Sequence, residues 1–106
     1  MTTKKTILGL VAALPGEARS LLGIRRWCWS DGWKVRHQTV DNGLDLVCVR
    51  SGIGPENAYG AARWLARHGV TALAAMGISG GLNPDLKPGD IVVPDLILEH
   101  GNGRPH

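Results

Sequence analysis

The strongest constraint on what this chain can fold into is an apolar run, Val70 to Met76, that ends in Gly77-Ile78-Ser79-Gly80-Gly81-Leu82. After a short polar connection comes a second apolar stretch, Leu86-Lys87-Pro88-Gly89-Asp90-Ile91-Val92-Val93-Pro94. A strand that delivers a glycine-rich turn to the end of a sheet is a ligand-facing arrangement in open α/β folds. Glycines there let main-chain N–H groups approach a bound molecule with no Cβ in the way. A sugar, a base or a phosphate would all suit such a loop.

The rest of the chain reads as the start of an α/β layer. Thr6 to Ala13 is short, apolar and bounded by Pro15-Gly16, as a buried first strand would be. Glu17 to Leu22 follows as a short helical segment closed by Gly23. Trp33 to Val40 alternates large and polar side chains, and Asp41-Asn42-Gly43 turns it into a partner strand, Leu44 to Arg50. These two strands and the first are expected on one side of the sheet. Pro55 to His68 is the clearest helix, with Gly54 at its cap, Pro55 in the first turn and Gly69 past its end. Ala58, Ala61, Ala62 and Leu65 give it a narrow apolar stripe of small residues that can lie close on a sheet. Val70 to Met76 and Asp90 to Leu98 are expected as two further strands, the second of them paired. The expected class is α/β, a mixed sheet with flanking helices. Residues 101–106 form a polar tail.

At 106 residues the chain holds one domain at most. One substantial helix cannot cover both faces of about five strands, so it reads as a partial domain, the first half of a larger fold. The +3 formal charge is mild and the arginines are scattered in sequence, which argues against a nucleic-acid partner. No apolar run approaches membrane-span length and no signal peptide is visible, so a cytoplasmic location is expected, with Cys28 and Cys48 reduced and buried. The histidines have no metal-ligand spacing, and neither a metal nor a cofactor is expected.

Three groups of residues invite chemistry. Ser51-Gly52-Ile53-Gly54-Pro55-Glu56-Asn57 follows a strand and opens a helix like a dinucleotide fingerprint. Asn57 replaces its third glycine, however, and no acidic residue follows where the ribose contact would be. A tight strand-to-helix turn, or a turn beside some other ligand, is the better reading. Glu17, at the carboxyl end of the first strand, is either a water-activating or sugar-binding carboxylate or an exposed first-turn glutamate favoured by the helix dipole. Ser79 lies in Gly77-Ile78-Ser79-Gly80-Gly81, which is not a nucleophile elbow, so its hydroxyl suits a ligand contact better than covalent catalysis. His100 is the histidine nearest the expected ligand end.

From Ile7 to about His100 these residues resemble the N-terminal half of the nucleoside phosphorylase superfamily, in the branch of methylthioadenosine/adenosylhomocysteine nucleosidases. The family's Ser-Gly-Ile-Gly segment stands at Ser51 to Gly54, its Gly-x-Ala-Gly-Gly-Leu loop at Gly77 to Leu82, and its Leu-Lys-x-Gly-Asp-x-Val-Val segment at Leu86 to Val93. Glu17-Ala18-Arg19 is also similar to the hopanoid-associated phosphorylase-like members. The resemblance implies cleavage of a purine nucleoside's N-glycosidic bond by water or phosphate. Glu17 would be the catalytic carboxylate, and Gly77, Ile78, Ser79, Gly80, Gly81 and His100 would lie at the substrate. Arg19 would be a phosphate contact, and the protein a homo-oligomer. Two positions depart from the pattern: Ile78 stands where many members carry a hydroxyl residue, and Ala75 where hexameric phosphorylases carry a phosphate-binding arginine. The family's leaving-group acid and its ribose-binding glutamate come from a second half with no counterpart in this sequence. A truncated, weakly active or inactive form is therefore expected, or alternatively a non-catalytic base-binding or oligomerising half-domain.

Overall fold

The computed structural model describes residues 5–41 and 43–97. Strand β1 (Thr6–Ala12) leads into helix α1 (Pro15–Leu22). Three strands follow, β2 (Cys28–Ser30), β3 (Trp33–Asp41) and β4 (Leu44–Arg50), and then helix α2 (Pro55–Arg67) and strand β5 (Ala72–Met76). The sheet order is β2-β3-β4-β1-β5. β1 lies parallel between β4 and β5, and the β2–β3–β4 stretch is antiparallel, so the sheet is mixed as expected.

Period-two alternation explains how one sheet serves two helices. Leu10 and Ala12 of β1 share a face with Leu46 and Cys48 of β4, and Ala18 of α1 and Ile24 complete that core cluster. Val11, Val35 and Val49 point the opposite way and pack against Ala61 and Leu65 of α2. The helices therefore cover opposite faces. α2 comes close because the contact is built from small residues. A Cβ on Gly9 would lie 3.1 Å from side-chain carbons of both Leu73 and Val70.

Local chemistry sets the element ends. Glu17 Oε1 accepts the Leu14 N–H at 3.2 Å, satisfying a free donor at the start of α1. Gly23 closes α1 with φ 70°, its N–H donating to the Arg19 carbonyl. Thr71 extends the β1–β5 ladder beyond β5 itself. Its main-chain N–H and its hydroxyl both donate to the Ile7 carbonyl, and its Oγ1 accepts the Ile7 N–H. At the far end of α2, the Trp64 indole N–H donates to Asp31 Oδ2 at 2.8 Å, and His68 stacks on the Trp64 ring. That contact ties the β2–β3 turn to the helix.

Three expectations need correction. Residues 90–97 form no strand, and Ile91 and Val93 are 90% and 84% exposed. Their apolar pattern suits a strand, but a strand also needs a neighbouring ladder for its N–H and C=O groups, and among the described residues the sheet ends at β5. Leu98 lies outside the described residues, as do His100 and residues 101–106. Cys28 is exposed rather than buried, because β2 is a three-residue strand at the margin of the sheet. β2 itself was not anticipated.

Candidate functional site

The three parallel strands end together. Ala12 of β1 is level with Arg50 of β4 on one side and with Met76 of β5 on the other. Three turns therefore emerge at one edge of the sheet: Ala13-Leu14 into α1, Ser51 to Gly54 into α2, and the segment starting at Gly77. The first two turns are bonded to each other. The Ser51 N–H donates to the Ala12 carbonyl at 2.9 Å and the Gly52 N–H to the Ala13 carbonyl at 3.0 Å. Gly52 and Gly54 both have positive φ, at 84° and 104°, which explains glycine at those two positions of the Ser-Gly-Ile-Gly segment. Ser51 is buried and its hydroxyl donates to the Gly52 carbonyl, and Asn57 Nδ2 donates to the Ile53 carbonyl. The side chain in the place of the third glycine thus braces the turn. α1 and α2 leave this edge for opposite faces, so the edge between β1 and β4 is where a crevice opens in such folds.

Glu17 and the glycine loop meet here. Glu17 Oε2 accepts the Ile78 N–H at 2.9 Å across 61 residues of sequence. A Cβ built on Gly77 would lie 2.7 Å from that same oxygen, closer than real side chains approach. Glycine at 77 is therefore what lets the carboxylate reach the loop. Each carboxylate oxygen has two acceptor sites. With Oε2 bonded to Ile78 and Oε1 to Leu14, both oxygens keep one site for another donor.

The neighbouring positions fall into place less evenly. Ile78, Ser79, Gly80 and Gly81 are exposed, and at Gly80 a side chain would enter open space. Gly81 packs on Leu86, whose Cδ1 lies 3.1 Å from where a Cβ would be. Lys87 to Asp90 form a β-turn, with the Asp90 N–H donating to the Lys87 carbonyl and the Lys87 N–H donating to Asp90 Oδ2. Proline at the first central position and Gly89 with φ 92° at the second give it type II character, which accounts for the Lys-x-Gly-Asp pattern. Arg19 is not with the loop. It lines a hollow of about 370 Å³ with Pro15, Gly16, Arg25, Trp27 and Arg50, and none of Gly77 to Gly81 takes part. Among the described residues no group of three or more His, Cys, Asp or Glu side chains could hold a metal ion. No helix among them is long and apolar enough to cross a membrane.

Sequence reading missed an ion cluster on β4. Asp45 is buried, with Lys5 Nζ at 2.9 Å and His37 Nε2 at 3.3 Å from its Oδ2. Strand alternation carried the signal, since His37, Asp45 and Val47 share one face of the β3–β4 pair.

A mixed sheet with helices on opposite faces and loops converging at the parallel edge defines an α/β fold. The sequence profile of the Phosphorylase superfamily matches residues 7–106, and the chain belongs to that family. It is 33% identical over 101 residues to a 5'-methylthioadenosine/S-adenosylhomocysteine nucleosidase of Mycobacterium bovis, covering 91% of this chain and 39% of that protein. To the nucleosidase of the same name from a Marinomonas species it is 29% identical over 105 residues, covering 90% of this chain and 42% of the relative. The chain thus spans well under half the length of these curated relatives. Among solved structures, a mutant of the Helicobacter pylori MTAN with 5'-methylthioadenosine in its active site superposes with a TM-score of 0.56 at 21% identity. That match covers 81% of this chain and 38% of the other, and it bears on the fold.

Proposed function

We propose that this chain carries the first part of a purine nucleosidase site, in which Glu17 activates water at the ribose and Gly77 to Gly81 line the sugar and base. The observation that carries this reading is the Glu17–Ile78 hydrogen bond at the convergent strand ends. It puts a carboxylate with spare acceptor sites against a backbone loop that has room on its outer side. The relatives named above are nucleosidases, which favours water over phosphate as the attacking group.

In the hydrolysis, a water O–H donates to Glu17 while its oxygen attacks the anomeric carbon. The bond from that carbon to the base nitrogen breaks, its electron pair leaving with the base, and the base is protonated as it departs. Glu17 takes the proton from water and does not supply the one on the base. That second proton needs an acid on the far side of the substrate, a role we assign to polypeptide beyond these residues. Arg19 would hold phosphate if phosphate replaces water, and His100 would contact the substrate.

The test is incubation of the 106-residue chain with methylthioadenosine, adenosine and inosine, each with and without phosphate, followed by detection of free base. The expected result is base release that is undetectable or very slow, since general acid–base assistance is typically worth about 10² to 10⁴ in rate. In a full-length relative carrying the same first half, Glu17→Gln is expected to cut turnover far more than affinity. Rapid turnover by the chain alone, or full activity in the Glu17→Gln relative, would reject the assignment. Weak nucleoside binding without turnover is expected to survive in the chain and to be lost when Gly77→Val pushes Glu17 off the loop.

A further inference from the structure

Arginines that are scattered in the sequence are gathered on one side of the fold. On β3 and β4, Arg36 is level with Cys48, and Lys34 with Arg50, so all four side chains leave the same face of the sheet. That is the face covered by α1, because Cys48 belongs to the core cluster that holds Ala18. The segment from Ile24 to Trp27, just after α1, crosses this face and brings Arg25 and Arg26 with it. Ile24 is buried as its anchor.

The result is two hollows that share Ile24 and Arg25. One, of about 370 Å³, is lined by Arg19, Arg25, Arg50 and Trp27, and the other, of about 200 Å³, by Arg25, Arg26 and Arg36. Among the described residues no Asp or Glu lines either hollow. Among the described residues none of these five guanidinium groups forms an ion pair. The Arg50 guanidinium stands 5.9 Å from the centre of the Trp27 ring, giving the larger hollow a flat, part-apolar wall beside its charges. A third hollow, beside α2, also contains arginines, Arg63 and Arg67, but there Asp31 offsets their charge.

Like charges held together without carboxylates raise the free energy of the empty surface, and an anion relieves it. Guanidinium groups present forked N–H donors that match phosphate oxygens. We infer that the two hollows together bind a small molecule carrying two or more linked phosphate groups, with any ring or carbon portion lying against Trp27. The concave shape suits a small ligand better than a flat membrane or a long polymer. The larger hollow adjoins the start of α1 through Pro15 and Gly16 and shares Arg19 with the phosphate contact proposed above, but the Glu17 carboxylate is turned to Leu14 and Ile78 and lines neither hollow. Anion binding there does not depend on the nucleosidase reading.

Titration of the 106-residue chain with inorganic pyrophosphate and with orthophosphate, followed by tryptophan fluorescence and by calorimetry, tests this directly. Pyrophosphate is expected to bind saturably, about tenfold tighter than orthophosphate, and more weakly as salt rises. Arg25→Gln with Arg36→Gln should lose about tenfold or more in affinity, whereas Arg63→Gln with Arg67→Gln beside α2 should lose little. Arg25→Gln alone, on an exposed loop, should show part of the loss with the fold intact. The proposal is overturned by absence of saturable binding, by equal affinity for the two anions, or by equal loss in both arginine pairs. Binding confined to single-stranded RNA or to anionic phospholipid vesicles would overturn it as well.

Discussion

Asp45 shows how one side chain makes a sheet sensitive to acid. Hydrogen bonding from the Lys5 ammonium is the main influence holding its carboxyl below the ordinary value of 3.8; burial opposes this and His37 adds to it. A folded-state pKa below the unfolded one means the stabilisation is fully present above about 3.8. It is lost as pH falls through the lower, folded value. Denaturant midpoints followed from about pH 6 to pH 2 should therefore drop less steeply for Asp45→Asn than for the parent chain. Identical acid slopes would remove Asp45 from the account. The two cysteines should differ just as clearly. Cys48 is 0% exposed and burial pushes its thiol up to about 11, whereas Cys28 is exposed. A thiol reagent at neutral pH should label Cys28 quickly in the folded chain and Cys48 only after denaturation. Rapid labelling of both without denaturant would mean that β4 opens readily.

At the scale of elements, the α2–β1–β5 contact is a tight constraint. The position a Cβ would take on Gly9 lies 3.1 to 3.3 Å from Leu73, Val70 and Leu65 side-chain carbons. Gly9→Val is expected to cost about 1–3 kcal/mol by overpacking, with Gly9→Ala costing less, as read by chemical denaturation. No loss in Gly9→Val would show that α2 can step back from the sheet. The elements legible in the sequence were those whose signals are local. Asp41-Asn42-Gly43 announced the hairpin, and Gly54-Pro55 with Gly69 bounded the helix. β2 has too few residues for a pattern of its own and exists because β3 offers it a ladder. Residues 90–97 show the converse, an apolar run with no ladder to join. Glu17 and the glycine loop could each be singled out from sequence. Their hydrogen bond could not, because it depends on β1 and β5 pairing in parallel with Ala12 opposite Met76.

For the whole molecule, the side of β5 left without a neighbouring strand among the described residues dominates. Ala72 to Ala75 are exposed, Leu73 among them, and the residues that follow expose Ile91, Val92, Val93, Leu96 and Ile97. An unpaired strand edge beside apolar surface is a template for another chain. The 106-residue chain is therefore expected to self-associate, with a sedimentation coefficient that rises with concentration and a melting temperature that rises with it. A concentration-independent monomer with a cooperative melt would count decisively against this. The arginine-lined hollows belong to the same scale. The charges are spread from Arg19 to Arg50 in the sequence, and only the alternation of β3 and β4 and the path of residues 24–27 bring them together.

The central place of β1 also has a consequence in time. It leaves the ribosome before the other strands of this sheet, yet its partners are β4 and then β5, so Leu8 waits for Leu46 and afterwards for Ala72. Until both have emerged, this largely apolar strand has at least one bare flank, and the second parallel pairing cannot close before α2 has crossed over. Non-local pairing of this kind slows folding and lengthens exposure to wrong partners. A nascent chain halted anywhere before residue 76 should thus be a client for chaperones, and a pause in synthesis between α2 and β5 would be the most hazardous point of its biogenesis.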